Sequence, residues 1–325
     1  MAHLSDWQIA PNRQPKPGDF EFDLERVLSS IVALRAIVPE DAFTAGTLGT
    51  ERGGHGAVIR DGLVLTIGYL ITEAEEIWIG RVDGTVVAGH PLAYDQATGF
   101  GLVQALGTLD LPALPLGESA AASVGTRVVF GGAGGRKHSI AARIVARQEF
   151  AGYWEYVLDD AIFTAPAHPF WGGGGLIGPD GGLLGIGSLQ VEHRGGGRES
   201  GSLNMVVPID LLKPILDDLM ATGRAQTPAR PWLGLFATEL DGNVFVVGTY
   251  EGGPADSAGL AQGDMIVAVA TERVSGLAEF FRKVWALGPA GVDVPLTLFR
   301  DGQTLETRIA SSERDVFLRK PRMHS

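Results

Sequence analysis

From about residue 34 to residue 218 the apolar residues come in short runs, each stopped within a few positions by a turn signal. Ala57-Val58-Ile59 is followed by Asp61-Gly62 and then Leu63-Val64-Leu65. Asp83-Gly84 and Asp180-Gly181 punctuate in the same way, around runs such as Val128-Val129-Phe130 and Leu183-Leu184-Gly185-Ile186. A helix needs a longer stretch with a period near 3.6 residues, so this spacing reads as strands joined by tight turns, in an all-β sandwich or a pair of barrels. The 46 glycines, with 45% apolar but only 8% aromatic residues, favour the same turn-rich β structure over a helical bundle. At 325 residues the chain exceeds the size at which a single core stops growing, so two or three domains are expected.

The flanks of this region differ from it. Residues 1 to 22 are mostly polar and carry Pro11, Pro15 and Pro17, which predicts an extended, poorly ordered arm that adds little to a core. Asp23 to Ala33 has Leu24, Val27, Leu28 and Ile31 at helical spacing. A first domain over 23–220 would close with Val207-Pro208-Ile209-Asp210-Leu211-Leu212 and a helix to about Met220. Ala221 to Arg230 lacks apolar periodicity and reads as a linker. A separate unit over 231–311 follows, then a basic tail over 312–325.

Composition removes several function classes. A formal charge of −12 repels a duplex or an anionic membrane, so nucleic acid is not an expected partner. Arg314, Arg319, Lys320 and Arg322 are a local exception and read as a solvated tail. No stretch reaches the ~18 to 20 apolar residues of a membrane span. The first residues lack a basic segment followed by an apolar one, so as written the chain reads as cytoplasmic. With no cysteine there is no disulfide, and the seven histidines show no paired-ligand spacing, so neither a metal nor a cofactor is expected. Gly131 to Lys137 lacks the glycine spacing and the Ser/Thr of a phosphate loop and reads as a turn beyond a strand.

Three segments carry a resemblance to a known family. Thr164-Ala-Pro-Ala-His-Pro-Phe-Trp-Gly-Gly-Gly-Gly-Leu-Ile resembles the nucleophile loop of HtrA-type (DegP-like) serine proteases, with Pro169 and the glycine run setting the register. The serine position then falls on Gly172. Leu65-Thr66-Ile67-Gly68-Tyr69-Leu70-Ile71 resembles the histidine segment and puts Tyr69 at the base position. Asp95-Gln96-Ala97-Thr98-Gly99-Phe100-Gly101-Leu102-Val103 resembles the aspartate segment and puts Gly99 at the orienting position. A triad acts as a unit of nucleophile, base and carboxylate, and here all three side chains are replaced together. The resemblance implies a mostly β fold: a chymotrypsin-like double β-barrel, crossing between barrels near Leu111 to Gly117, followed by an α+β PDZ domain. It also implies a periplasmic setting and a trimer built through the N-terminal arm, where Trp7, Phe20 and Phe22 are the available aromatics.

Within residues 231 to 311, Trp232-Leu233-Gly234-Leu235 resembles the carboxylate-binding loop of HtrA-type PDZ domains. Gly253-Pro254-Ala255-Asp256-Ser257-Ala258-Gly259-Leu260 and Gly263-Asp264-Met265-Ile266 resemble their core. A helix over Gly276 to Leu287 places Leu277, Phe280, Phe281, Val284 and Leu287 on one stripe, which either walls a peptide groove or faces the core. Three readings stay open. The first is an inactive protease-like module that binds protein or peptide C-termini through its PDZ domain, with Gly172, Gly173 and Gly174 keeping a vestigial oxyanion loop. The second is a hydrolase with a non-standard nucleophile, for which Thr164 and His168 are the candidates. The third is a purely structural subunit.

Overall fold

The computed structural model describes residues 7–194 and 200–320; Arg322 of the basic tail and the first six residues of the arm lie outside them. Six short strands form the first barrel: β1 (Ile31–Ile37), β2 (Glu51–Arg60), β3 (Leu63–Ile67), β4 (Glu76–Gly80), β5 (Val86–Tyr94) and β6 (Phe100–Ala105). They close in the order β1-β2-β3-β6-β5-β4. The second barrel uses β7 (Arg127–Gly131), β8 (Ile140–Gly152), β9 (Tyr156–Ala165), β10 (Gly175–Ile177), β11 (Leu183–Arg194) and β12 (Ser200–Pro208). Its order, β10-β11-β12-β9-β8-β7, repeats that of the first. Closure pairs every edge, which strands this short need in order to satisfy their backbone groups. Between the barrels the chain is pinned to each in turn. Leu114 N–H donates to Val58 O at 2.8 Å and Gly117 N–H to Leu183 O at 2.9 Å.

Two local expectations are corrected here. The amphipathic run from Asp23 stays helical only over α1 (Leu24–Ser29), where Asp23 accepts from Arg26 N–H at 3.1 Å as the N-cap. Ile31 already belongs to β1, because β-branched Ile31 and Val32 are buried in the barrel and side-chain packing outweighs local period. The arm also contributes to a core. Ile9 is buried with Phe130, Ile140 and Ile144, its N–H donating to Lys137 O at 2.9 Å, and Arg13 O accepts from Ala141 N–H at 2.9 Å. The arm is not extended throughout: Pro11 lies in a turn closed by Arg13 N–H donating to Ala10 O at 2.8 Å, and Pro17 opens a 3-10 turn, Pro17–Asp19.

The remaining elements are α2 (Ala45–Leu48), α3 (Leu216–Thr222) and a distinct α+β unit. That unit contains β13 (Leu235–Leu240), β14 (Asn243–Thr249), α4 (Pro254–Ser257), β15 (Met265–Val269), β16 (Glu272–Arg273), α5 (Leu277–Ala286), β17 (Asp293–Arg300) and β18 (Gln303–Ala310). Its sheet runs β13-β14-β15-β17-β18, leaving β13 at one edge. The division into compact units does not follow the chain. One unit holds the described residues up to Gln148, Asp160–Gln226 and the chain from Arg319; the other holds Glu149–Asp159 with Thr227–Leu318. The tip of the β8–β9 hairpin thus groups with the second unit, where Val157 joins Leu233, Leu235, Phe280 and Val284 in one apolar core. Among the described residues no helix is long and apolar enough to cross a membrane.

Candidate functional site

Strand β3 ends at Ile67 and passes into a 3-10 turn, Gly68–Leu70, which carries Tyr69 on the first barrel. Gly172 lies on the second barrel, in the loop between β9 and β10. The two positions meet: a Cβ built on Gly172 would lie 2.8 Å from the Tyr69 hydroxyl. Gly99 adjoins them through its carbonyl, which accepts from Gly68 N–H at 2.7 Å. The folded chain therefore brings Tyr69, Gly99 and Gly172 together. Tyr69 donates to Ser188 O at 2.9 Å, and burial raises its phenol well above the usual range, so it acts as a neutral donor rather than a base. Gly99 closes a turn in which the Asp95 carboxylate accepts from Thr98 N–H and Oγ1 at 2.8 and 2.6 Å. Its φ of +83° lies in the left-handed region that favours glycine over aspartate.

The loop after Gly172 is held by its own backbone. Gly172 O accepts from His55 N–H at 2.8 Å, Gly173 N–H donates to Gly187 O at 2.9 Å, and Gly174 N–H donates to Trp171 O at 3.1 Å. Gly173 is also obligatory: its φ is +77°, and a Cβ there would sit 1.9 Å from His55 O. Two of the three amides expected to line a vestigial oxyanion hole are thus spent inside the protein. That leaves at most the Gly172 amide as a donor from this loop, and one donor is a weak oxyanion site.

Behind this loop lies a pair of buried histidines. His55, on β2, accepts from Ala133 N–H at Nδ1 (3.1 Å), and its Nε2 lies 3.1 Å from Phe170 O. Burial, reinforced by neighbouring His168, lowers its pKa to about 3. His168 has Nε2 and Nδ1 at 2.8 and 2.7 Å from the His138 and Phe170 carbonyls, and its ring stacks on Phe130 and meets the edge of Trp7. Burial lowers its pKa as well. Phe170 N–H donates to His168 Nδ1 at 3.1 Å, so the neutral ring donates from Nε2 to His138 O; with both nitrogens engaged by backbone, His168 packs the loop and presents no base to a substrate. Thr164 Oγ1 is buried and has no hydrogen-bond partner among the described residues, so the Thr–His pair that a rewired hydrolase needs is not formed. His55 escaped the sequence reading because a lone histidine in a glycine-rich strand carries no spacing signal.

The second unit holds a different kind of site. Trp232 to Leu235 enters β13 through Gly234, whose φ is +71° and whose Cβ, if present, would lie 2.9 Å from the Trp232 ring. The resulting turn points three successive amides at one spot. Leu233 N–H donates to Glu155 Oε2 at 2.9 Å; Gly234 and Leu235 N–H donate to Oε1 at 2.8 and 3.2 Å. Successive amides converging in this way form an anion-binding concavity. Leu277, Phe280, Phe281 and Val284 of α5 are all buried, in one cluster with Leu233 and Leu235. The Trp232 ring packs against Tyr250 and Phe317. Glu155 was not legible in the sequence: it lies 78 residues before the nearest amide it binds.

Residues 54–186 match the trypsin-like peptidase domain, and residues 231–310 match the PDZ domain. The chain is thus a trypsin-like peptidase fold joined to a PDZ domain. It is 27% identical over 295 residues to a probable periplasmic serine endoprotease DegP-like of Pseudomonas fulva, covering 84% of this chain and 59% of the relative. A relative of the same description from Hahella chejuensis is 26% identical over 274 residues, covering 79% and 56%. Among solved structures, the HtrA-type protease AlgW with tripeptide superposes with a TM-score of 0.53 at 20% identity, covering 95% of this chain and 99% of that one. The serine endoprotease from Yersinia pestis gives 0.52 at 21%, covering 89% and 96%. The chain combines a trypsin-like peptidase domain and a PDZ domain in an HtrA-like fold, and it spans under three-fifths of the length of these curated relatives, 59% and 56%.

Proposed function

We propose that this HtrA-type chain binds protein C-terminal tails through its PDZ domain and does not cleave peptide bonds, serving as an adaptor or holding module. The observation that carries the first part is the convergence of the Leu233, Gly234 and Leu235 amides on a carboxylate. Beside them β13 is the sheet edge at which an extended tail adds as a strand. The second part rests on taking Tyr69, Gly99 and Gly172 as the degenerate triad positions. A buried neutral phenol standing 2.8 Å from where a nucleophile's Cβ would begin supplies neither the attacking group nor the base.

Two measurements test the halves separately. The purified chain should not degrade unfolded casein above background, and a fluorophosphonate probe should label no hydroxyl near residue 172; labelling there would sink the inactive reading. For binding, a free-acid peptide with an apolar last residue should be preferred to its amide, because amidation removes the charge the three amides recognise. Equal affinity for the two would mean the loop does not read termini. Assembly through the N-terminal arm rests on Phe20 and Phe22, whose rings lie 5.2 Å apart and stay partly exposed, since Trp7 is packed within its own chain. Light scattering after gel filtration should give a trimer mass that Phe20→Ser with Phe22→Ser reduces; an unchanged mass rejects that surface.

A further inference from the structure

The groove that should receive a tail holds part of the chain itself. Glu155, at the tip of the β8–β9 hairpin, is 5% exposed and directs its carboxylate into the three amides of the loop before β13. Two residues earlier, Tyr153 O accepts from Ala237 N–H at 2.9 Å, on the edge of β13 that no other strand of the sheet covers. The Tyr153 ring lies 5.7 Å from that of Phe236 on the same strand. Val157 enters the apolar cluster of Leu233, Leu235, Phe280 and Val284. On the helix wall, Arg282 of α5 pairs with Glu149 and Asp159, one from each side of the tip.

A bound tail needs a carboxylate in the amide loop, a backbone carbonyl on the edge strand and an apolar side chain against the helix. The tip supplies all three, from Glu155, Tyr153 and Val157. We propose that residues Glu149–Asp159 are a resident ligand of the PDZ groove, with the Glu155 side chain standing in for a terminal carboxylate, so that a tail binds only in place of this tip. The inference rests on the tail-binding reading above. It adds that the groove is self-occupied, and that a competitor must carry both a free carboxylate and an apolar end. The backbone at Glu155 is consistent with a position held for its side chain. Its φ of +61° is left-handed, a region that glycine enters with less strain than glutamate.

That φ makes Glu155→Gly the informative variant, since it deletes the carboxylate while suiting the turn; Glu155→Gln, which keeps the side chain's size, is the second. In the full-length protein, hydrogen–deuterium exchange at the Leu233, Gly234 and Leu235 amides should quicken by about tenfold or more in both variants, because a protected amide exchanges only when its partner leaves. The probe is a short labelled peptide ending in Ala-Val-Val, as free acid and as amide. Its free acid should bind Glu155→Gly several-fold more tightly than wild type, with no such gain for the amide. Unchanged exchange in both variants overturns the proposal, as does faster exchange with equal free-acid affinity for wild type and variant. Faster exchange with no preference for acid over amide in the opened variant counts instead against tail recognition and leaves Glu155 as the groove's own ligand.

Discussion

Acidification should destabilise the barrel unit through His55, and the size of the effect follows from its surroundings. The imidazole is buried and sits beside a second buried ring, His168, at 5.9 Å between centroids. Its folded pKa falls to about 3, from 6.5 in an exposed histidine. Between these values the unfolded chain holds a proton that the folded chain does not, so stability is lost as pH falls below 6.5 and continues to fall toward 3. Each unit of separation is worth about 1.4 kcal/mol, so at a pH near ~4.5 the loss from His55 alone is roughly 2 to 3 kcal/mol. His168 and His138, the other titratable groups nearest the ring, act in the same direction by repelling an added charge. His55→Gln keeps a donor for Phe170 O and an acceptor for Ala133 N–H but removes the titration. Urea unfolding of both proteins at pH steps from about 7 to about 4.5, followed by tryptophan fluorescence, should show the wild type losing about 2 kcal/mol more than the variant. Parallel stability curves would refute the reasoning, since titrating carboxylates are common to both proteins and cancel.

Three further outcomes follow from the geometry. Gly172→Ser with Tyr69→His and Gly99→Asp should remain inactive toward casein and melt lower than wild type, because a side chain at the left-handed Gly99 costs about 1–2 kcal/mol and the loop amides stay bound inward; turnover well above background would contradict this. Gly234→Val combines a φ of +71° with a Cβ 2.9 Å from the Trp232 ring. It should therefore cost roughly 1–3 kcal/mol in the second unit, and chemical denaturation should show an unchanged transition only if this loop is not strained. Glu155 has its carboxyl raised to about 7 by burial, against the pull of the three amides and of Arg314, so the docked tip prefers the proton. Docking should be firmest below the ordinary carboxyl range and weaken as pH rises through about 7. Exchange at Leu233–Leu235, corrected for intrinsic rates, should quicken across that interval, and a flat profile would reject the coupling.

Much of this protein is local and was therefore legible in the chain. Turn signals and short apolar runs specify strands because their period and punctuation are properties of neighbouring residues; they left a sandwich or a barrel pair open, and the resemblance of local motifs to HtrA-type segments pointed to two barrels and a PDZ unit. The side chains at 69, 99 and 172 are equally local: a glycine at 172 has no nucleophile in any fold. Some site features depended instead on distance. Whether α1 continued past Ser29 was settled by barrel packing at Ile31 and Val32, and whether the arm joined a core was settled by backbone pairing at Ile9 and Arg13. The neutrality of His55 comes from walls supplied by residues near 133 and 170. Glu155 is the clearest case. In sequence it is one acidic residue in a hairpin, and only the tertiary fold carries it to amides 78 to 80 residues away. Sequence pattern determines which elements can form, because propensity and period act over a few residues; what fills a groove is decided by contacts between distant segments, on which local periodicity has no bearing.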